Sequence, residues 1–297
     1  MVSFIQKHRD DYGVESICKV LPIAPSTFYA HQQRQDDPST EPPRAQMDHQ
    51  LRSEIQRIWD ENFQVYGVRK VWRQLRREGF DVARCTADAG HGPAGLRRGR
   101  RFKVTTTSDQ TPGRPSDLVN REFTVDRPIR LWVSDITYVA TWRGFVYVAF
   151  VIDAFARRIV GWRVSNSLRS DLALDALEQA LYDRSTAEPL VHHSDRGVQY
   201  LSIRYTERLA EAGIEPSVGS VGDSYDNALA ETIIGLFKTE VIRHRGPWRG
   251  IDAVEYATLE WVDWFNRRRL FETIGNMPPE ELEAAYYQQK GESALAA

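Results

Sequence analysis

A length of 297 residues is enough for a sizeable core and for about two domains. The hydrophobic share of 41% and the charged share of 27% exclude wholesale disorder, and no apolar run is long enough to span a membrane. Only Cys18 and Cys85 are present, which excludes a disulfide framework, and the chain does not start with a signal peptide. We therefore expect a cytoplasmic protein.

Charge is unevenly distributed, although the net charge is only −2. Residues 1–103 carry 18 basic and 13 acidic side chains, whereas the remainder carries 21 basic and 28 acidic ones. The front of the chain can therefore bind phosphates by itself. The acidic remainder needs cations, such as metal ions, before it can approach nucleic acid.

The first 45 residues are predicted to contain two short helices followed by a linker. Apolar residues at helical spacing predict the first helix over 13–20, and Pro25 suits the first turn of a second helix. Two short helices around a turn are the minimum for a helix-turn-helix, but an α-hairpin without DNA contact fits these residues equally well. Residues 34–45 are polar and contain proline, as linkers do.

Residues 46–103 are predicted to form a helical DNA-binding region. Apolar spacing predicts helices over 46–60 and 68–78, and the second of these presents a basic face. A basic cluster follows before a second linker at 104–128. The candidate phosphate ligands are Arg69, Lys70, Arg73, Arg97, Arg98 and Arg100. An ordinary solvated helix face is the alternative interpretation of these charges.

From residue 131 the pattern changes to that of a mixed α/β sheet, the candidate catalytic core at 129–243. Three β-type runs with tight turns predict an antiparallel meander, and alternating helices and strands follow, giving five strands with flanking helices. Further helices are predicted at 226–242, at 252–267 and from about 278, so that residues 244–297 form a helical extension.

Three acids in this region form the candidate catalytic site. Asp135 interrupts an apolar strand, Asp195 follows the strand PLVHHS at a glycine turn, and Glu231 lies on the 226–242 helix. Each acid taken alone has another interpretation. Asp195 would be a turn residue beside glycine, Glu231 an exposed helix residue, and Asp135 the partner of an arginine. If the first and fourth strands are adjacent, the two aspartates repel each other and require cations between them.

An all-oxygen site of this kind suits Mg²⁺ or Mn²⁺. Two ions about 3.5–4 Å apart can stabilise the attacking and leaving oxygens of an in-line phosphoryl displacement. Lys238 follows Glu231 by two helical turns and lies on nearly the same face, where it can hold the DNA backbone. An exposed lysine paired with a nearby glutamate is the alternative for Lys238.

Four ordered stretches, LWVSDITYVAT, HHSDRGVQYLS, GDSYDNALAETIIGLFKTEVI and WVDWFNRRRL, resemble the second-reading-frame transposases of the insertion-sequence-three family. The third acid follows the second with 35 residues between them, which is the spacing of that family. The resemblance implies a ribonuclease-H-like fold with a retroviral-integrase-like core. It also implies a DDE-type polynucleotidyl transferase that cleaves element ends and transfers strands, with Asp135, Asp195 and Glu231 as ligands.

Further expectations come with this resemblance. His193 and Asn227 are expected to support the ligands, with a DNA contact or a packed core position as the alternatives for His193. The implied partners are the terminal inverted repeats of the element and target DNA. We also expect a homo-oligomer on DNA, association with the bacterial nucleoid, and an upstream-frame DNA-binding protein as fusion or partner.

Residues 87–93, ADAGHGP, depart from the family, whose members continue here with a helix. The codons CTG ATG CGG GAC ATG GGC CTG encode the family's Leu-Met-Arg-Asp-Met-Gly-Leu, and read one base earlier, behind a G, they encode this heptapeptide. A pair of compensating frame changes is therefore a hypothesis, which resequencing tests. Two glycines and a proline disfavour a helix, so a loop is expected over 80–100.

Two alternatives remain at this point. A non-catalytic protein that occupies element ends is disfavoured by the intact acids and favoured by the 87–93 segment. A ribonuclease-H-like hydrolase that acts on RNA–DNA hybrids is disfavoured by the helical regions that flank the core.

Overall fold

The computed structural model describes residues 1–37, 41–91, 116–184, 188–219 and 226–296. The chain begins with three helices, α1 (Val2–Tyr12), α2 (Val14–Val20) and α3 (Pro25–Asp36). They share a small core made by Ile5, Ile17, Cys18 and Phe28. The helices predicted over 13–20 and from Pro25 are confirmed, whereas α1 was not predicted.

A second helical unit contains α4 (Pro43–Glu61), α5 (Val68–Arg77) and α6 (Arg84–His91), which pack against one another. The prediction of a loop over 80–100 is wrong for Arg84–His91, which form helix α6. Each glycine costs a helix only about 1 kcal/mol, and Ala87 is fully buried in the core that also holds residues of α4 and α5. Of the helix-breaking residues, only Gly90 falls inside α6, because Gly92 and Pro93 lie outside the described residues.

The sheet has five strands in the order β3-β2-β1-β4-β5. Strands β1, β2 and β3 form the predicted antiparallel meander, whereas β4 and β5 run parallel to β1. The predicted mixed five-stranded sheet is therefore confirmed. The strands are β1 (Leu131–Thr141), β2 (Gly144–Asp153), β3 (Ile159–Ser165), β4 (Leu190–Ser194) and β5 (Ile214–Val218).

Helices cover both faces of the sheet. On one face, α7 (Ser170–Asp183) and α8 (Ile203–Glu211) pack against a layer that includes Trp132. A β-carbon on Gly161 of β3 would lie 2.1 Å from the carbonyl oxygen of Ala176 in α7, so only glycine allows this close approach. On the other face, α9 (Ala228–Phe237) packs against a layer that includes Val133.

The chain after α9 joins the catalytic region to the α4–α6 unit. A π-helical segment (Lys238–Ile242) and a short helix, α10 (Arg243–Arg245), lead to α11 (Ile251–Arg267) and, after a 3₁₀ turn (Glu272–Ile274), to α12 (Pro279–Ala296). Trp264 Nε1 of α11 donates to Asn62 Oδ1 at 3.0 Å, and the Leu270 backbone N–H donates to Tyr66 Oη at 2.8 Å. None of the helices described is long and apolar enough to cross a membrane.

A buried ion pair lies beneath this junction. Arg269 donates to both carboxylate oxygens of Glu240, at 2.6–3.1 Å, and Trp261 Nε1 donates to Glu240 at 3.1 Å. Both charged residues are at most 6% exposed. Because a buried carboxylate without its cation is strongly unfavourable, the pair holds the π-helical segment against the chain after α11.

We expect Arg269→Met to lower the free energy of unfolding by about 3–5 kcal/mol, because it leaves the buried carboxylate of Glu240 without its cation. Denaturant unfolding would measure this loss. The matched control is the neighbouring Arg268→Met, which removes only the exposed ion pair with Glu61 at 2.9 Å and should cost less than about 1 kcal/mol. Equal losses in the two variants would show that Glu240 does not depend on Arg269.

Candidate active site

The pairing of β1 with β4 brings two of the predicted acids together. Ser134 pairs with Ser194 in parallel register, at the end of the β1–β4 ladder. Asp135 and Asp195 are the next residues of the two strands and therefore lie side by side. Asp135 Oδ1 accepts the Ile136 N–H at 2.7 Å, and Asp195 Oδ1 accepts the Gly197 N–H at 2.9 Å, which orients both carboxylates.

Glu231 approaches the same place from the first turn of α9. Its charge raises the pKa of Asp135, and the charge of Asp195 raises the pKa of Glu231 in turn. All three predicted acids thus belong to one electrostatic group. Glu231 and Asp195 are solvent-accessible, whereas Asp135 is partly buried, so the group opens to solvent.

The electrostatics of this group are unfavourable without a cation. Burial, followed by the charges of Asp195 and Glu231, raises the pKa of Asp135 to about 8. The hydrogen bond from the Ile136 N–H and the charge of Lys238 act in the opposite direction and lower it. Burial also raises the pKa of Asp195 and is the largest cause of the raised pKa of Glu231. For Asp195 we attribute this to protein atoms crowded around the carboxylate, because the residue as a whole is exposed. Bringing three anions together therefore favours protonation or the arrival of positive charge.

Among the predicted cations, Lys238 interacts electrostatically with Asp135 of this group. Its Nζ atom lies 5.3 Å from the centre of the Tyr138 ring, and burial lowers its pKa while Asp135 opposes that shift. The residue begins the π-helical segment, a feature often found at functional sites. Lys238 therefore stands between the acids and the exposed side of β1.

A hydrogen-bond chain fixes the start of α9, where Glu231 lies. The Leu118 N–H donates to Ser217 Oγ, the Ser217 hydroxyl donates to His193 Nδ1, and His193 Nε2–H donates to the carbonyl of Asp226, each at 2.9 Å. A carbonyl only accepts, so His193 is a neutral donor there, consistent with the burial that lowers its pKa.

Asn227 adds a direct link from the start of α9 to β1. Its side-chain N–H donates to the carbonyl of Ser134 at 2.9 Å, one residue before Asp135. The Asn227 Oδ1 atom is buried and has no hydrogen-bond partner among the described residues. His193 and Asn227 thus lie behind the acids and hold the two elements that carry Asp135 and Glu231.

The structure adds two residues near the acids that sequence reasoning did not select. Asp226 is buried, and its carboxylate accepts a hydrogen bond from Arg121 Nε at 2.8 Å. Tyr200 is buried, its hydroxyl has no partner within the described chain, and burial with the charges of Tyr205 and Asp135 raises its pKa. Its place in the HHSDRGVQY stretch was the only available signal.

The predicted ligands do not by themselves form a closed metal cage. Across the described ranges, no group of three or more His, Cys, Asp or Glu side chains is arranged to hold a metal ion. The three carboxylates instead form one group that is open to solvent, since Asp195 and Glu231 are exposed.

Comparisons with known proteins match this architecture. Two models of the integrase core domain match residues 125–224 and 212–279, and a model of an HTH-like domain matches residues 46–87. The transposase for insertion sequence element IS629 from Shigella sonnei is 55% identical over 300 residues, covering 100% of both chains. Transposase InsF for insertion sequence IS3A from Escherichia coli is 30% identical over 94% of this chain and 97% of its own.

The chain belongs to the insertion-sequence-three family of transposases. The transposase is a DDE-type polynucleotidyl transferase with an integrase core, and its HTH-like and integrase domains interact with DNA. Integrase-core enzymes of this family generally depend on divalent metal ions. Among solved structures, the catalytic core of HTLV-2 integrase gives a TM-score of 0.43 at 16% identity, covering 53% of this chain and 97% of its own, and the assignment does not rest on it.

The basic residues of the transposase fall into three situations. Arg69 is exposed and pairs with Glu272 at 2.8 Å, whereas Arg73 lies 4.9 Å from the Trp72 ring. Burial and Arg269 lower the pKa of Lys70 to about 7, so this lysine carries less charge than an exposed one. Arg97, Arg98 and Arg100 lie outside the described residues. Phosphate contact by these six side chains stays a prediction.

Replacing Asp135 should stabilise the fold in the absence of metal. The pKa of Asp135 is raised in the folded protein. The protein therefore loses stability as the pH rises from the pKa of Asp135 in the unfolded chain towards about 8, because over this range the carboxyl group ionises freely only in the unfolded chain. We therefore expect Asp135→Asn to raise the free energy of unfolding at pH 8.5 in EDTA by roughly 1–3 kcal/mol, allowing for water in the open site. Denaturant unfolding measures the difference.

At pH 4 the advantage of Asp135→Asn should largely disappear, since Asp135 is protonated in the folded state and the pH is close to its ordinary pKa of 3.8, so ionisation stabilises the unfolded chain only slightly. Asp11→Asn, on the exposed side of α1, is the matched control and should show no such pH-dependent gain. A gain of the same size at pH 4 and pH 8.5 would contradict the assigned repulsion.

Proposed function

We propose that Asp135, Asp195 and Glu231 are the catalytic carboxylates of this transposase and that they hold two Mg²⁺ or Mn²⁺ ions. The observation that carries the proposal is the parallel register that ends at Ser134 and Ser194, since it sets the two aspartates side by side. Glu231 is close enough to raise the pKa of Asp135.

The donor set fits such ions. Its ligands are carboxylate oxygens, which Mg²⁺ prefers, and their mutual repulsion is relieved by positive charge. Because Mg²⁺ keeps several waters and takes further ligands from substrate phosphate, a solvent-exposed group of carboxylates suits it better than a closed cage. When bound, the ions would supply activation of the attacking oxygen and stabilisation of the leaving 3′ oxygen.

The protein residues have positioning and binding tasks in this scheme. The β-strand register and the short Asp135 and Asp195 hydrogen bonds orient two carboxylates, while His193 and Asn227 fix the start of the helix that carries the third. Lys238 binds the DNA phosphate next to the acids. In the first step water displaces the 3′ oxygen at the element end, and in the second the freed 3′-hydroxyl displaces an oxygen of a target phosphodiester.

End recognition belongs to the helical front of the chain. The α4–α6 unit coincides with the HTH-like match, and we propose that its basic side chains, together with Arg97, Arg98 and Arg100, bind the terminal inverted repeats. The α2–α3 pair is a second candidate DNA-binding element. Synapsis of two ends requires a homo-oligomer on nucleoid DNA in the cytoplasm, with the upstream-frame protein as a fusion or partner.

Glu231→Gln should abolish both steps, because the amide keeps the size of the side chain but removes a ligand charge. We expect a loss greater than about 100-fold in metal-dependent nicking and joining of a duplex that carries the element's terminal repeat. The reaction would be followed on a gel with Mg²⁺ or Mn²⁺ and with EDTA as the blank.

Glu207→Gln, on the exposed side of α8, is the matched control and should retain activity. Unchanged activity in Glu231→Gln would overturn the assignment of the third carboxylate. Repeat binding without any reaction in the unsubstituted protein would instead favour a requirement for the upstream-frame partner.

A further inference from the structure

Three large aromatic side chains are exposed at the end of the β1–β2 hairpin. Trp142 is 70% exposed, Tyr138 61% and Phe145 56%. Tyr138 and Phe145 lie on the same side of the two strands, with ring centres 5.5 Å apart and planes at 89°. We call these three side chains the hairpin aromatic surface. A cluster of this kind on a protein surface marks an interaction site.

The hairpin that carries this surface is held rigidly. Thr141 pairs with Gly144 around a two-residue turn, and the Thr141 hydroxyl donates to the Gly144 carbonyl at 2.8 Å. Gly144 has φ +108°, a conformation that favours glycine. The Trp142 N–H donates to the carbonyl of Trp248 at 3.0 Å, which anchors the tip to the chain before α11. The aromatic rings are therefore presented by ordered backbone.

The hairpin aromatic surface and the three acids meet at one edge of β1. Between Ser134 and Thr141 the strand has no partner on the β4 side within the described chain, so this stretch of the edge is open, and Trp248 pairs with Thr141 at its far end. Tyr138 follows Asp135 by three residues, about 10 Å along the strand, and its side chain lies on the opposite face. Lys238 bridges the two, because it interacts electrostatically with Asp135 and lies over the Tyr138 ring.

Two arginines lie at or next to the tip. Arg143 in the turn and Arg249, next to the residue that anchors the turn, are both exposed, and neither forms an ion pair with the described part of the chain. Cations beside exposed rings are the combination by which proteins bind single-stranded nucleic acid, with rings stacking on bases and cations following the backbone.

We propose that the hairpin aromatic surface binds unpaired bases at the outermost nucleotides of the element end, next to the phosphate that is cleaved. Paired bases inside a duplex have both faces covered by neighbours and a terminal pair exposes only one, whereas unpaired bases can offer both faces to Tyr138, Trp142 or Phe145. A strand that passes from Asp135 around the open edge of β1 must also turn within about 10 Å, which a stiff duplex does not do.

The element end is the occupant that fits the chemistry. Its strand stays at the acids through cleavage and joining, whereas the target is needed only for the second step. The inference rests on the proposed role of Asp135, which fixes where the cleaved phosphate lies. Stacking at this surface would stabilise a frayed end and so favour the geometry in which the scissile phosphate reaches the three carboxylates.

The test compares two duplexes of the element's terminal repeat, one fully paired and one whose three outermost base pairs are mismatched. Binding is measured by fluorescence anisotropy in EDTA, so that no strand is cut. We expect the full chain to bind the mismatched duplex more tightly. Trp142→Ala and Phe145→Ala should weaken binding to it by about 5- to 150-fold and leave binding to the paired duplex nearly unchanged. Trp142→Phe should restore part of the preference.

Tyr182→Ala is the matched control, since Tyr182 is 96% exposed on α7 and should not affect either duplex. Equal affinity of the unsubstituted protein for the two duplexes, or equal weakening of both by Trp142→Ala, would overturn the proposal. If Trp142→Ala kept the preference for the mismatched duplex but sedimented differently from the unsubstituted protein, the surface would be assigned to contacts between copies of the chain instead. Because binding is measured in EDTA, whereas the catalytic assignment is tested by nicking and joining with metal ions, failure of the catalytic assignment remains distinguishable.

Discussion

The structure depends on the parallel pairing of β1 with β4, which ends where two carboxylates follow. This register places like charges side by side at a partly buried position, and α9 brings a third anion to them. The resulting repulsion is a local cost to the fold that the surrounding packing must offset. The sheet, the hydrogen-bond chain through His193 and the contact of Asn227 with β1 all keep the acids together against this repulsion.

The second constraint lies beneath the catalytic helix. Glu240 is only nine residues beyond Glu231, and its buried pairing with Arg269 ties the end of this helix to the chain after α11. In the same stretch of chain, the Leu270 N–H donates a hydrogen bond to the hydroxyl of Tyr66, which belongs to the α4–α6 unit. Buried hydrogen bonds therefore connect the α4–α6 unit to the π-helical segment that begins with Lys238.

Local patterns predicted most of the helices and strands, because β-branched and aromatic runs, apolar spacing and proline positions act within a few residues. The three acids were predicted as candidates, but their adjacency depended on a strand pairing that no local pattern determines. Tertiary packing explains the failures. Helix α6 forms despite Gly90 because Ala87 is buried against two helices, and the Glu240–Arg269 pair joins residues 29 positions apart. The ionisation of Lys70, half neutral near pH 7, also depends on neighbours distant in sequence.

The contacts of Asn62 and Tyr66 with the chain around Trp264 and Leu270 bear on how such enzymes diversify. A recognition module joined by a free tether can be exchanged for another without disturbing the enzyme behind it. Here the α4–α6 unit, proposed to recognise element ends, shares its core with α11 and the sheet, so exchanging it would remove buried partners from α11. New preferences for element ends in this lineage are therefore expected to arise by substitution on the exposed faces of the unit, and not by replacement of the unit as a whole.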